Sequence, residues 1–348
     1  MKSIQKRTIL FSLFTVFIFT LNGGKMPIPI IYDPDYNITL LGVENFLHSF
    51  DTKKYGKVAE EISNHHKIEQ FSFSVPKIVS DDDLLTVHTQ DYLDSLSSSK
   101  AVAKVAEVWP LAFLPNFILQ RNLLAPIKLA TGGTILGAEL ALKHGWAINL
   151  SGGYHHAKAE NGGGFCFFAD ISIAVYKVLK KQSDDFKVLI IDLDAHQGNG
   201  HEAIFKDDPQ IRIFDIYGKD NYPHDKKTQK YIDFDYGVKF GITTEQYLKL
   251  LKEELPKAIA QINPNLIVYN AGTDIFEKDH LGVFKVSAEG IIERDEFVFE
   301  QAKTNKIPIL MLLSGGYTQE SAKIISDSIK NLLEKEIISA TDALEVEY

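Results

Sequence analysis

Lys187-Val188-Leu189-Ile190-Ile191-Asp192-Leu193-Asp194-Ala195-His196-Gln197-Gly198-Asn199-Gly200 opens as an apolar, β-branched run and ends in acids and an imidazole. The first half reads as a strand buried on both faces, as in a parallel sheet. No turn residue separates the two halves. If the chain stays extended, Asp192, Asp194 and His196 share one face, because strand side chains alternate. Two carboxylates and an imidazole are costly to bury unless something neutralises them, and a divalent metal does so. Oxygen and nitrogen ligands without cysteine suit a catalytic zinc, which keeps one position open for water. A capped strand end with surface carboxylates gives the same triplet, so the rest of the chain has to decide.

Outward from this stretch, strands and helices alternate. Trp146 to Leu150 reads as a strand and runs into Ser151-Gly152-Gly153-Tyr154-His155-His156. Ile211 to Ile216 is a strand ending near Asp215. Leu266 to Asn270 precedes Ala271-Gly272-Thr273-Asp274, and Ile309 to Leu313 precedes Ser314-Gly315-Gly316-Tyr317. Helices are expected at 127–144, 169–181, 244–262, 287–303 and 319–334. This rhythm predicts one α/β domain: a single open parallel sheet with helices on both faces. Ligand sites in such sheets lie beyond the carboxyl ends of the strands. His155, His156, Asp194, His196, Asp274 and Tyr317 should therefore converge. Earlier in the chain, Pro27–Tyr36 and Val75–Val79 read as short strands. His48 and Asp51 look like a loop entering a helix at 55–63. Ala101–Gln120 reads as helix and loop able to line a pocket.

Composition excludes some roles. The 348 residues carry a formal net charge of −9, so sequence-independent binding to nucleic-acid phosphates is not expected. The single cysteine, Cys166, permits no internal disulfide. The N-terminus stands apart: Lys2, Lys6 and Arg7 precede the uncharged run Thr8–Leu21, which Asn22-Gly23-Gly24-Lys25 breaks. That is the layout of a secretory signal, or of a leader retained as a membrane anchor. Residues 1–25 are thus read as leader and 26–348 as the catalytic domain. Export or membrane attachment is expected, with a cytoplasmic protein as the alternative.

Three protein ligands, Asp194, His196 and Asp274, plus water make a catalytic zinc arrangement. His155 and His156 then stand as proton-transfer groups. Adjacent residues of an extended segment face apart, so the turn after Gly153 has to bring both inward. Asp192 is placed to accept a hydrogen bond from one imidazole and raise its basicity. Tyr317 is placed to donate its hydroxyl to a carbonyl oxygen that becomes negative during attack. Each feature alone is also ordinary turn chemistry; four such segments at four strand ends are not. Together they point to metal-assisted hydrolysis of an amide.

These segments, with Gly163-Gly164-Phe165-Cys166, resemble the zinc-dependent histone deacetylases of the arginase/deacetylase fold. The likeness is greatest to the class IV group, through Phe113-Leu114-Pro115-Asn116-Phe117, Thr131-Gly132-Gly133-Thr134 and Gly145-Trp146-Ala147-Ile148-Asn149. It spans about residues 28 to 335. The resemblance implies one Zn2+ per chain on Asp194, His196 and Asp274, proton transfer by His155 and His156, and carbonyl polarisation by Tyr317. It also implies a narrow apolar tunnel walled by Tyr154, Phe165, Tyr222 and Leu281, with the Gly164 carbonyl receiving the substrate amide N–H. A structural K+ is implied near the zinc, on Asp192, Asp194, His196 and Asp215. The expected substrate is an acyl-lysine protein or peptide, with acetyl or longer fatty acyl groups; the alternatives are an acylated amine, as for an acetylpolyamine amidohydrolase, or a ureohydrolase of the same fold. The last needs a further carboxylate where this chain has Gly198. A scaffold without activity would have lost a ligand or the tyrosine, and none is lost. Many deacetylases have Asp at the position of Asn199. An amide cannot stabilise an imidazolium by charge, so His156 should stay neutral more readily, or act mainly as a proton donor when charged by other means. No Lys/Arg-rich nuclear address is visible, which points away from histones as the cellular substrate.

Overall fold

The computed structural model describes residues 25–40 and 51–344; most of the leader and His48 lie outside them. Eight strands form one wholly parallel sheet. They are β1 (Met26–Ile31), β2 (Phe71–Ser74), β3 (Trp146–Asn149), β4 (Val188–Asp192), β5 (Ile211–Gly218), β6 (Phe234–Val238), β7 (Leu266–Asn270) and β8 (Ile309–Leu312). Their spatial order is β2-β1-β3-β8-β7-β4-β5-β6.

The apolar runs explain why the middle of the sheet is covered twice. Leu189 and Ile191 of β4, Ile267 and Tyr269 of β7, and Ile309 and Met311 of β8 enter one core. Their neighbours Val188, Ile190, Leu266, Val268, Leu310 and Leu312 enter the other. Strand alternation thus feeds both faces. The first face is covered by helices α1 (Lys54–Ser63), α5 (Thr244–Ile262), α6 (Ala288–Asn305) and α7 (Ser321–Glu334). The second is covered by α2 (Ala125–His144), α3 (Asp170–Leu179) and α4 (Asn199–Phe205). Thr243 starts α5 with a reciprocal capping box to Gln246. The expected fold class holds.

Four differences from the sequence expectation have physical causes. Val75–Val79 is not a strand; the strand is Phe71–Ser74, and Pro76 just beyond it has no N–H for a ladder. β6 was not foreseen, since its alternately half-exposed residues make it an edge. In the segment 101–120, Phe113 and Phe117 are exposed rather than pocket-lining. Most important, β4 stops at Asp192, so Asp194 and His196 lie beyond the strand and not along one extended face.

His88 is buried and its Nε2 accepts a hydrogen bond from the Ala169 N–H, 2.9 Å away. Burial lowers its pKa to about 4, against weaker opposing backbone hydrogen bonds. The unfolded chain takes up this proton below its ordinary value of about 6.5. The folded chain resists until about 4. Between these values the unfolded state binds more protons, so stability falls as pH falls. The loss from this residue, complete below the lower value, is roughly 3 kcal/mol. Urea unfolding at pH 7 and pH 4.5 checks it: His88→Gln should shrink the difference in stability between the two, and an unchanged difference would refute the assignment.

Candidate active site

All four segments that carry the candidate residues leave adjacent central strands, β3, β8, β7 and β4, at their carboxyl ends. Asp192 is the last residue of β4 and lies opposite Asp215 on β5 and Asn270 on β7. Past it the chain turns. The Asp194 N–H donates to Asp192 Oδ1 at 3.2 Å, and the His196 N–H to Asp194 Oδ1 at 3.0 Å. Side-chain-to-backbone bonds of this kind make the turn that no glycine or proline announces.

The turn brings Asp194, His196 and Asp274 together, all buried. His196 Nδ1 stands 3.0 Å from Asp194 Oδ1 and 3.0 Å from Asp274 Oδ2. The remaining carboxylate oxygens are held by the protein. Asp194 Oδ2 accepts from the Ser314 hydroxyl at 2.8 Å and the Gly315 N–H at 2.9 Å. Asp274 Oδ1 accepts from the Ala195 N–H at 2.9 Å. Burial pushes the Asp274 pKa up to about 7, helped by the charge of Asp194. Burial alone would depress His196, yet its bonds to Asp194 and Asp274 hold it well above its ordinary range. The pocket thus attracts positive charge. One imidazole nitrogen and two carboxylate oxygens within 4.8 Å of one another are a donor set that fits zinc.

The histidine pair arrives as expected. Gly152 and Gly153 take φ of 78° and 85°, which only glycine adopts readily. Asp170, at the start of α3, fixes the turn: Oδ2 accepts from the Gly153 N–H and Oδ1 from the Tyr154 N–H. The rings of His155 and His156 come to lie 4.1 Å apart between centroids. His155 donates from Nδ1 to Asp192 Oδ2 at 2.8 Å, and His156 from Nδ1 to Asn199 Oδ1 at 2.9 Å. Each ring keeps Nε2 for other work. Burial opposes charge on both. For His155 the Asp192 and Asp194 carboxylates win, lifting its pKa to about 9. For His156 burial wins, reinforced by the charge of His155, and the value falls well below the ordinary range. The hydrogen bond to the Asn199 amide favours charge on His156 too weakly to offset burial.

Tyr317 stands across the site, its ring centroid 6.3 Å from that of His196. Its N–H donates to Asp279 Oδ2 at 2.7 Å. Burial, then the charges of Asp274 and Asp194, raise its pKa well above the ordinary value, so the hydroxyl keeps its proton. Among the expected tunnel residues, Tyr154, Gly164 and Phe165 line the cavity with both histidines and Tyr317. Tyr222 stacks edge-on to His156 at 4.9 Å. Leu281 does not line that cavity; its carbonyl accepts from Asn221, the residue before Tyr222. Gly272 and Gly315 form a floor under the Asp194 and Asp274 carboxylates, with no space for a Cβ.

The expected K+ residues divide. Asp192 and Asp215 face each other, whereas the Asp194 and His196 side chains belong to the cluster with Asp274. His201 of α4 joins the first pair, with Nε2 3.6 Å from Asp192 Oδ2. Asp215 Oδ1 and Glu202 Oε1 are buried there without a hydrogen-bond partner. Burial, then the charges of Asp192 and Glu202, raise Asp215 well above the carboxylate range. Orphaned buried oxygens fit a cation, so the residues present suit the implied ion.

Sequence reasoning missed four supports. Lys54 opens α1, is fully buried, and donates from Nζ to the Ser314 and Gly315 carbonyls at 2.9 and 3.2 Å. Burial lowers its pKa to about 8 against the pull of Asp274 and Asp194. Arg294 of α6 donates to the carbonyls of Leu193, Gly272 and Ala271, lashing two ligand loops together, and pairs with Asp295. Asp279 anchors Tyr317. Glu107 accepts from the Gly164 N–H and the Tyr222 hydroxyl at 3.0 and 3.1 Å, at the exposed rim.

A sequence profile of the histone deacetylase domain matches residues 48–333. The chain is 46% identical to histone deacetylase 2 of Arabidopsis thaliana over 311 residues, 89% of this chain and 80% of that protein. It is 31% identical to an uncharacterised protein of Picosynechococcus over 84% of this chain and 93% of that one. With human histone deacetylase 1 it shares 33% identity over 202 residues, 55% of this chain and 40% of the relative.

Proposed function

Since the chain belongs to the histone deacetylase family and is a deacetylase-type hydrolase, we propose that it removes acyl groups from lysine side-chain amides in proteins with one zinc ion held by Asp194, His196 and Asp274. The observation that carries this reading is His196 Nδ1 at 3.0 Å from an oxygen of each aspartate, with His155, His156 and Tyr317 around it. When bound, zinc would polarise the acyl carbonyl and make water acidic enough to attack at neutral pH. The residues do the rest. Tyr317 donates its hydroxyl to the carbonyl oxygen, where negative charge develops. His155, held positively charged beside Asp192, stabilises the negative charge that builds up during attack. His156, neutral and oriented by Asn199, takes a proton at Nε2 from the attacking water and hands it on to the departing lysine amine. Phe165 and Tyr222 flank the apolar lysine stem, and the Gly164 carbonyl accepts from the amide N–H. Asp192, Asp215 and His201 make the place for a second, structural cation, with K+ as the proposed ion.

The family implies acetylated protein substrates. Within it we place the chain in the class IV group, on Phe113–Phe117, Thr131–Thr134 and Gly145–Asn149, and extend the substrates to longer fatty acyl groups. A second reading, hydrolysis of acetylated polyamines, is favoured by one observation: Glu107 sets a carboxylate at the rim, where a free cationic amine would bind. Otherwise identical acetyl-lysine and myristoyl-lysine peptides, assayed beside acetylated polyamine, discriminate. The peptides should be hydrolysed faster, all activity should vanish on chelation, and zinc should restore it. Preference for the polyamine would replace the protein-substrate reading. We also propose export or membrane attachment through residues 1–25; N-terminal sequencing of the protein from membrane and soluble fractions checks this.

A further inference from the structure

We propose that His65, His66 and Glu334 form a second zinc site on the surface, clamping the carboxyl ends of α1 and α7. Consecutive side chains usually diverge, yet the turn after α1 points both imidazoles at one carboxylate oxygen. His65 Nε2 lies 2.8 Å and His66 Nδ1 3.6 Å from Glu334 Oε1. The two rings are 4.6 Å apart between centroids, tilted by 33°. His66 is two-thirds exposed, and a plain ion pair would need only one of the two rings.

The donor set selects the ion. Two imidazole nitrogens and one carboxylate oxygen suit zinc, whereas Mg2+ and Ca2+ prefer all-oxygen sites. Ligands about 2.0–2.1 Å from a tetrahedral zinc lie about 3.3 Å apart. The separations of 2.8 and 3.6 Å bracket that value. The fourth position opens to solvent, because the site faces a polar groove lined by Glu60, Glu61, Lys323 and Lys330. Binding through His65 Nε2 requires the proton on Nδ1. That gives up only a 3.4 Å contact from the Lys67 N–H, at the limit of a hydrogen bond.

The backbone around the site is already held. Lys67 Nζ donates to the Leu333 and Glu334 carbonyls, and Lys330 pairs with Glu61 between the two helices. At the other end of α1, Lys54 holds the Ser314 and Gly315 carbonyls, and α7 begins four residues after Tyr317. A zinc at the far end would tie together the two helices that flank the tyrosine loop.

Calorimetric titration of the full chain, loaded beforehand with one zinc equivalent, tests this. Uptake of one further zinc is expected, with its affinity reduced at least tenfold in His66→Ala and in Glu334→Gln, and no competition from Mg2+. Both positions are surface-exposed, so the variants should fold and hydrolyse substrate as before. The site should persist in Asp274→Ala, which separates its fate from that of the catalytic reading. Absence of a second uptake in the parent chain, or unchanged affinity in His66→Ala, overturns the proposal.

Discussion

Asp274→Ala should leave a protein that no longer retains the inner zinc and hydrolyses an acetyl-lysine peptide about 10³-fold more slowly or worse. Lewis-acid polarisation by a metal contributes several kcal/mol to the barrier, and each 1.36 kcal/mol is a factor of ten. Asp274 supplies one of only three ligand side chains, and its other oxygen holds the Ala195 N–H. Alanine therefore also orphans a buried donor, at a cost of about 1–3 kcal/mol. Asp274→Asn keeps an acceptor for that N–H while removing the charge that attracts metal, so it separates loss of zinc from loss of folding. Zinc content, counted in a His66→Ala background so that only the inner ion is scored, should fall from one to near zero in both variants. Full activity in either would reject the ligand set.

Tyr317→Phe should lower kcat by about 10²–10³-fold with KM nearly unchanged, the range found for removing one donor to a developing oxyanion. The ring keeps the wall of the cavity, so binding of the ground state is spared. Only the hydroxyl is lost, and its contribution is largest when the carbonyl oxygen becomes negative. The raised pKa of Tyr317 means that the hydroxyl remains a donor throughout the pH range of an ordinary assay. A variant with normal kcat and a raised KM would show instead that Tyr317 serves binding alone.

The candidate site residues were legible because their segments follow apolar strands and carry glycines. The parallel rhythm put their strand ends on one rim, and the adjacency of β3, β8, β7 and β4 met that expectation. What failed was the local path after Asp192. Its turn is made by aspartate side chains accepting from the backbone, and such residues read equally well as strand-end acids. Lys54 and Arg294 were invisible for another reason. A cation on an amphipathic helix normally faces water, and only the docking of α1 and α6 onto the strand ends makes these two internal. Glu107 lies 57 residues before its partner Gly164, and no local pattern joins them. Leu281 and Tyr222 were expected from family likeness alone, and neither is among the residues that line the cavity.

The glycine floor bears on how the protein can change. A methyl group on Gly272 would lie 2.4 Å from Asp194 Oδ2, and one on Gly315 2.4 Å from Asp274 Oδ2. Neither carboxylate can retreat without abandoning its place in the pocket. A library randomised at these two codons and selected for activity should return glycine alone, while the exposed Phe113 and Phe117 accept replacement. Evolvability of the pocket is thus limited by empty space as firmly as by its acids.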